Sequence, residues 1–143
     1  MLISTRGRYA LRVMIDLAQH NDGTLIALRD VAARQEISEK YLESIIVVLS
    51  KAGFVQASRG KGGGYRLARG PEEYTVASIV ELTEGSLAPI SCLEGAENTC
   101  PRRDACKTLP MWSQLGRVIT KYLEGISLRD LAEGKLPPDP VWQ

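Results

Sequence analysis

Apolar side chains in the first third of the chain recur every three or four residues, which is the period of an amphipathic helix. The pattern predicts helices over 5–20, 28–35 and 39–52, the third with Ser38 as its N-cap and with leucine and isoleucine along one buried face. In the first helix, the polar residues fall between the apolar ones and are expected on the solvent side. They are Arg8, Arg12, Asp16 and Gln19.

The next segment changes to the alternation of short strands. Gly53 stands where the end of a helix needs a positive φ. Residues 54–58 and 65–68 alternate as strands, and the loop 59–64 between them consists of glycines with one arginine and one lysine. Helix, short turn, helix and glycine-rich hairpin in this order predict a winged helix-turn-helix.

The rest of the chain predicts three more helices, over 75–83, 110–125 and 127–133, with Pro110 in the first turn of the long one. The long helix carries more apolar surface than one lone helix can hide. The predicted fold class is therefore mainly α with a small β-hairpin wing and a long C-terminal helix.

Composition and charge indicate a globular chain, one half of which is suited to a polyanion. Apolar residues make up 44% of the 143 residues and charged residues 24%, which excludes wholesale disorder. Residues 1–70 contain eleven Lys or Arg and six Asp or Glu, whereas residues 71–143 contain seven and eleven. The basic first half favours contact with a polyanion. The alternative is that solvated charges are distributed unequally by chance, and the charge count alone does not decide between the two.

Several classes of protein are not expected from this sequence. No uncharged stretch approaches the length of a membrane span, and Arg6, Arg8 and Arg12 interrupt the apolar pattern that a secretory signal would need. We therefore expect a cytoplasmic protein with reduced thiols. With a single histidine and no base beside a nucleophile, neither an enzyme nor a small-molecule substrate is expected.

The third predicted helix and the glycine-rich loop carry side chains that suit duplex DNA. In a winged helix the third helix enters the major groove, where Glu43 could accept a hydrogen bond from a cytosine amino group. Arg59 and Lys61 flank Gly60 in a loop with no bulky side chain, which suits approach to the minor groove. The competing interpretations are a helix-stabilising charge for Glu43 and a flexible solvated hairpin for the loop. The cations expected to contact phosphates are Arg6, Arg8 and Lys40.

Three cysteines lie close together in a polar stretch between two predicted helices. Clustered thiols in a reducing compartment suit an iron–sulfur cluster or zinc, while three buried thiols that serve only packing are the alternative. The fourth ligand of such a site is not assigned. The single histidine of the sequence, His20, is better explained as a cation at the end of the first helix. Candidate oxygen ligands are Glu94, Glu97 and Asp104, and a partner subunit, solvent or a small thiol is equally possible.

A set of short motifs resembles the IscR-like family of winged-helix regulators, the Rrf-type family that also contains nitric-oxide and cysteine-metabolism sensors. The resemblance covers nearly the whole chain. The motifs are TRGRYA at 5–10, IS and YLE at 37–43, RGKGGGY at 59–65, the three cysteines ahead of PMW at 110–112, and ISL with DL within 126–131.

The resemblance implies a homodimer that is held by the long C-terminal helix and binds double-stranded, pseudo-palindromic promoter DNA. It also implies an iron–sulfur cluster on Cys92, Cys100 and Cys106, of the [2Fe–2S] type in our leading hypothesis. The DNA-contacting residues that we expect are Thr5, Arg6, Tyr9, Ser38, Lys40, Tyr41, Glu43, Arg59, Gly60 and Lys61. The expected division is a winged helix-turn-helix DNA-binding domain at 1–80, a linker helix and cluster-binding loop at 81–109, and a dimerisation helix and tail at 110–143.

The chain departs from the family around the cysteines. The gap between the first two cysteines is longer than in the best-known IscR proteins. Leu109 stands where those proteins have a histidine. Nitric-oxide sensors of the family use an acidic residue from the first helix of the partner subunit, and this chain has Arg8 at that position. The fourth ligand and the cluster type are therefore left unknown.

Our leading hypothesis is a homodimeric transcription regulator whose promoter binding is modulated through the three cysteines, by redox state, iron–sulfur status or nitric oxide. A change at the cysteines is expected to alter the separation of the two recognition helices, which a dimeric reader needs near one DNA turn, about 34–36 Å. The alternatives are a winged-helix regulator that uses zinc or direct thiol oxidation without a cluster, and one that is controlled by a protein partner.

Overall fold

The structure is a computed structural model that describes residues 3–139, so positions 1–2 of the predicted DNA-binding domain and 140–143 of the predicted tail lie outside it. Each predicted helix and strand is present, with ends that differ by one residue at most. In chain order the elements are α1 Thr5–Gln19, α2 Leu28–Gln35, α3 Glu39–Lys51, β1 Val55–Ser58, β2 Gly64–Leu67, α4 Val76–Glu84, α5 Leu109–Glu124 and α6 Leu128–Glu133. Short 3₁₀ turns, which the sequence did not predict, lie at Pro71–Glu73, Ser91–Leu93 and Arg103–Ala105.

Local signals explain where α3 begins and ends. The Ser38 side chain accepts a hydrogen bond from the backbone N–H of Tyr41 at 3.2 Å, so the predicted N-cap is confirmed. Gly53, just beyond the end of α3, has a φ of 74°, which glycine adopts at little cost. The turn between α2 and α3 contains Glu36, which is the one non-glycine residue with a positive φ (54°) in the described chain.

The core forms where α1 crosses α3 at the centre of the winged helix. Both helices contribute side chains that are almost fully buried, and α6 adds Leu128 to the same cluster. The buried residues of α1 and α3 in this cluster are Ala10, Val13, Met14, Leu17, Leu42, Ile45, Ile46 and Leu49. A second, smaller cluster joins α4 to the segment around Ile126.

The two strands form an antiparallel hairpin whose register pairs Val55 with Leu67 and Ser58 with Gly64. A third piece of chain extends this sheet, because Ile26 and Tyr65 exchange two backbone hydrogen bonds of 2.8 Å. The hairpin is therefore tied to the segment that leads into α2, and the helix-turn-helix and the wing form one body.

The chain returns to the winged helix after α5. The Val76 N–H donates to the carbonyl of Ile126, and the Leu128 N–H donates to the carbonyl of Tyr74, both at 2.9 Å. The Tyr74 hydroxyl in turn donates to the carbonyl of Phe54 at 2.7 Å. Together these bonds fix the C-terminal end of α5 to the core.

Helix α5 has no buried residue, and one of its faces is both apolar and exposed. The exposed large side chains of this face are Met111, Leu115, Val118 and Tyr122. Their spacing of three and four residues places them in one stripe along the helix, as the excess of apolar surface predicted. Within residues 3–139, no helix is long and apolar enough to cross a membrane.

One prediction about α1 is wrong. Asp16 was expected on the solvent side, but its side chain is 1% exposed and lies against the end of α2. Arg34 donates to both Asp16 oxygens, at 3.0 and 2.7 Å, and Gln35 donates at 3.0 Å. Burial of this carboxylate is possible because these donors replace the water that it loses.

Candidate nucleic-acid interface and cysteine loop

The first turns of α1 lie directly against α3, so the structure brings two groups of predicted DNA contacts together. The rings of Tyr9 and Tyr41 meet edge to face with centroids 5.6 Å apart. The guanidinium of Arg6 donates to the backbone carbonyl of Ser44 at 3.3 Å. Arg6 and Tyr9 are half-buried by these contacts, whereas Thr5 and Tyr41 are exposed.

The solvent side of α3, opposite its buried face, carries polar side chains in its N-terminal half. Ser38, Lys40 and Glu43 are all exposed, and no described residue forms an ion pair with Lys40 or Glu43. Within the described chain the Glu43 carboxylate is thus exposed and makes no ion pair. It is available to accept a hydrogen bond from a base edge.

The wing is a tight, glycine-built turn that presents two cations. The backbone N–H of Gly63 donates to the carbonyl of Gly60 at 2.9 Å, and Gly60 and Gly62 have φ values of 90° and 77°. Arg59 and Lys61 are exposed on either side of Gly60. The turn requires glycine at these positions, which also leaves the backbone accessible to a groove.

The buried Asp16 anchors the turn that precedes α3. Burial alone would raise the pKa of Asp16, but hydrogen bonds from Arg34 and Gln35, together with the charge of Arg34, hold that pKa below its usual range. Arg12 extends the network, because its guanidinium donates to the side chain of Gln35 at 3.2 Å and also to the backbone carbonyl of Gln35. The end of α2 is thus held to α1 next to the strained Glu36.

A second carboxylate joins the start of α1 to the end of α4. Glu84 accepts hydrogen bonds from the backbone N–H of Ser4 at 3.0 Å and from its hydroxyl at 2.5 Å. The approach is so close that a side chain at Gly7 would collide with this carboxylate. Gly85, the first residue of the loop that carries the cysteines, directly follows Glu84. The loop therefore starts next to the carboxylate that holds the start of α1.

The three cysteines lie in or near the two 3₁₀ turns of this loop, and all three are half-buried and unbridged. Cys92 lies within the first turn, whereas Cys100 and Cys106 bracket the second. The hydroxyl of Thr108 lies 3.4 Å from the Cys106 sulfur, and this contact, with backbone N–H groups at the start of α5, lowers the pKa of the Cys106 thiol. A lower pKa increases the fraction of thiolate, which is the form that binds metals and reacts with oxidants.

The donor set fits an iron–sulfur cluster in type, because thiolates are its usual protein ligands and the loop supplies three. Within residues 3–139, however, no three His, Cys, Asp or Glu side chains lie close enough together to hold a metal ion. His20 is accounted for elsewhere, since its ring nitrogen lies 2.8 Å from the backbone carbonyl of Asp16 at the end of α1. The described residues therefore assemble neither a three-cysteine site nor a fourth ligand beside it.

Comparison with known proteins identifies the family to which this arrangement corresponds. The family model Rrf2, described as an iron-dependent transcriptional regulator, matches residues 3–134. The chain belongs to the Rrf2 family. Its members are transcription regulators and not enzymes, and this Rrf2 chain is accordingly an IscR-type regulator with a winged helix-turn-helix.

Individual relatives support the same assignment. The HTH-type transcriptional regulator IscR of Aliivibrio salmonicida is 38% identical over 92% of this Rrf2 chain and 77% of its own length. The structure of T. potens IscR matches with a TM-score of 0.74 at 33% identity, covering 100% of this chain and 94% of that one. CymR (YrzC), the global cysteine regulator of B. subtilis, matches with a TM-score of 0.77 at 30% identity, covering 94% and 98%.

Sequence reasoning missed three groups that shape the candidate interface. These are the buried Asp16, the carbonyl of Ser44 and the carboxylate of Glu84. The position of Asp16, three residues after the buried Val13, was a signal that it borders the core-facing side of α1. No sequence signal marks the other two groups, because their partners lie 38 and 80 residues away along the chain.

Proposed function

We propose that this Rrf2 protein is a homodimeric, promoter-binding regulator whose affinity for DNA is modulated through Cys92, Cys100 and Cys106. One observation carries the proposal: the cysteine loop begins at the carboxylate that holds α1 and ends at the first turn of α5. The loop is thus connected at one end to the candidate DNA-binding surface and at the other to the exposed apolar stripe. Because promoter DNA lies in the cytoplasm, we also propose that the protein is cytoplasmic.

Contact with DNA is assigned to the exposed side of α3, the start of α1 and the wing. Glu43 accepts from a base edge in the major groove, and Arg59 with Gly60 enters the minor groove. Lys40, Lys61 and Arg6 contribute positive charge that fixes the register on the phosphates. The remaining proposed contacts are Thr5, Tyr9, Ser38 and Tyr41.

Dimerisation is assigned to the exposed stripe of α5. A twofold dimer would bury this stripe against its own copy, so one substitution appears twice in the interface. We expect Leu115→Asp to give a monomer by analytical ultracentrifugation, because it places two unpaired charges in an apolar contact. Val47→Asp is the matched control, since it changes another exposed apolar residue, on α3, and is expected to leave the dimer intact. A Leu115→Asp dimer would exclude this interface.

The three cysteines are proposed to hold an iron–sulfur cluster of the [2Fe–2S] type, as the family resemblance and the donor chemistry suggest. When bound, such a group supplies a response to oxidants, nitric oxide or iron supply. What the chain itself contributes is a loop with half-buried thiols, among which the pKa of the Cys106 thiol is lowered by its contact with Thr108. The fourth ligand is left to a second chain or a small molecule.

The test is anaerobic purification followed by measurement of iron, acid-labile sulfide and affinity for a promoter duplex. We expect iron and sulfide in the [2Fe–2S] ratio, and a change in affinity of about 5–150-fold when they are removed, as is typical of coupled sites. Cys100→Ser should lose the iron, whereas the neighbouring Thr99→Ala should keep it. An iron-free protein that binds its promoter at full affinity would overturn the cluster proposal.

Direct thiol oxidation is the second candidate function. It is favoured by the separation of the three thiols in the described chain and by the lowered pKa of Cys106. In that case the iron-free protein would lose or gain DNA affinity on treatment with peroxide, and mass spectrometry would find Cys106 oxidised. Cys106→Ser would then be unresponsive, and an unchanged response in this variant would exclude the candidate.

A further inference from the structure

Val47 is an exposed apolar residue on α3 that does not pack on the core. Before α5, only two large apolar side chains in the described chain are exposed, and both are on α3: Tyr41 and Val47. Tyr41 packs edge to face on Tyr9, which accounts for its position. Val47 is 48% exposed and is not among the side chains that pack on the described core.

The position of Val47 on α3 is opposite the side chains that the helix buries. At 100° per residue, it lies on the same side as Lys40 and Glu43, two turns after the first and one turn after the second. Four residues of helix correspond to about 6 Å along the axis. Base pairs follow each other every 3.4 Å, so a helix lying along the groove places Val47 about two base pairs beyond the pair that Glu43 contacts.

The chemistry of valine restricts what it can recognise there. Its two methyl groups neither donate nor accept hydrogen bonds, and the one apolar group on the base edges of the major groove is the C5-methyl of thymine. The contact removes apolar surface of both partners from water.

We propose that Val47 contacts the C5-methyl of a thymine in each half-site and thereby selects a T·A pair about two base pairs from the pair that Glu43 reads. The inference rests on the proposed DNA binding and adds a specificity-determining residue to it. Loss of one buried methyl corresponds to about a fourfold weaker Kd for one half-site and about 15-fold for both.

The experiment uses the full-length protein and a duplex selected from random sequences for binding. Each thymine of the selected half-site is replaced in turn by deoxyuridine, which lacks only the C5-methyl group. The replacement is expected to weaken binding about fourfold per half-site at one thymine position. That position should lie about two base pairs from the pair at which Glu43→Ala relaxes base preference. Val47→Ala should bind the thymine and uracil duplexes equally well.

Val48→Ala is the matched control, because it removes the same two methyl groups from a half-buried neighbour on α3. It should keep the preference for thymine over uracil. If no thymine position responds to uracil, or if Val47→Ala keeps the wild-type preference, the inference is overturned while DNA binding stands. If no duplex is selected at all, the proposed function fails instead.

Discussion

The buried Asp16 provides the sharpest test of how the helix-turn-helix is held together. Its side chain is 1% exposed and accepts three hydrogen bonds, two from Arg34 and one from Gln35. Asp16→Asn preserves the shape of the side chain but removes its charge. One of the two acceptor oxygens is replaced by an amide NH2 group, which is itself a donor and faces the donors of Arg34 and Gln35. The substitution therefore perturbs the network without creating a cavity.

The cost follows from the bonds that are lost. A hydrogen bond to a charged group contributes about 1.5–3 kcal/mol, and at least one bond from Arg34 cannot form to an asparagine amide. The Arg34 side chain is 37% exposed, so water can replace part of its lost partner, which keeps the cost below the 3–5 kcal/mol typical of breaking a fully buried pair. We expect Asp16→Asn to lower the free energy of unfolding by about 2–3 kcal/mol, or the Tm by roughly 4–12 °C.

The pH dependence of this difference has a definite sign. Because the pKa of Asp16 is lowered in the folded state, its contribution is complete above the unfolded pKa of about 3.9 and is lost as the pH falls through the lower folded pKa. The gap in stability between wild type and Asp16→Asn should therefore be constant near neutral pH and narrow below about pH 4.

The assay is urea denaturation at fixed protein concentration, at pH 7 and in steps down to pH 3. Asp30→Asn is the control, because Asp30 on α2 is 56% exposed and its one ion pair within residues 3–139 is with Arg29 at 4.0 Å, which predicts a change of less than about 1 kcal/mol. If Asp16→Asn is as stable as Asp30→Asn at pH 7, or if its deficit grows at acid pH, the reasoning is refuted.

Three further predictions concern DNA recognition and the wing. Glu43→Ala should relax base preference at one position per half-site by about 1–3 kcal/mol, measured by competition between duplexes; unchanged discrimination would exclude readout by Glu43. Lys61→Ala should weaken all duplexes alike and reduce the salt slope of binding by about one, and an undiminished slope would mean that Lys61 contacts no phosphate. Gly64→Ala places a methyl group against the Ile26 carbonyl and should lower stability by about 1–3 kcal/mol in a thermal melt. Gly95→Ala, which meets only ordinary contacts, is its control; equal effects of the two would contradict the steric argument.

The secondary structure was predictable because its signals are local. The Ser38 cap, the glycine at 53 and the glycine-rich loop each act within a few residues of the element that they define. The apolar stripe of α5 was predictable for the same reason, since helical spacing alone fixes which side chains share a face. These features also sufficed to indicate the winged helix.

Contacts between distant segments were not predictable from one sequence. The pairing of Ile26 with Tyr65 and of Thr75 with Ser127 depends on how the elements pack, and neither segment carries a distinctive pattern. The arrangement of the cysteines belongs to the same class, because the loop 85–108 has little periodicity. Asp16 was misplaced because a carboxylate is ordinarily solvated, and only its partners on α2 make burial favourable.

The two ends of α5 are held differently, and this difference indicates how the proposed regulation would act. The C-terminal end is fixed to the core through the bonds of Ile126 and Leu128, whereas in the described chain no hydrogen bond joins the N-terminal half of α5, which follows Cys106, to the winged helix. A change at the cysteines would therefore tilt α5 about its C-terminal end. Sixteen residues of helix are about 24 Å long, so a tilt of about 10° moves the free end by about 4 Å. In a dimer held by α5, a shift of that size changes the separation of the two α3 helices enough to alter their fit to successive major grooves.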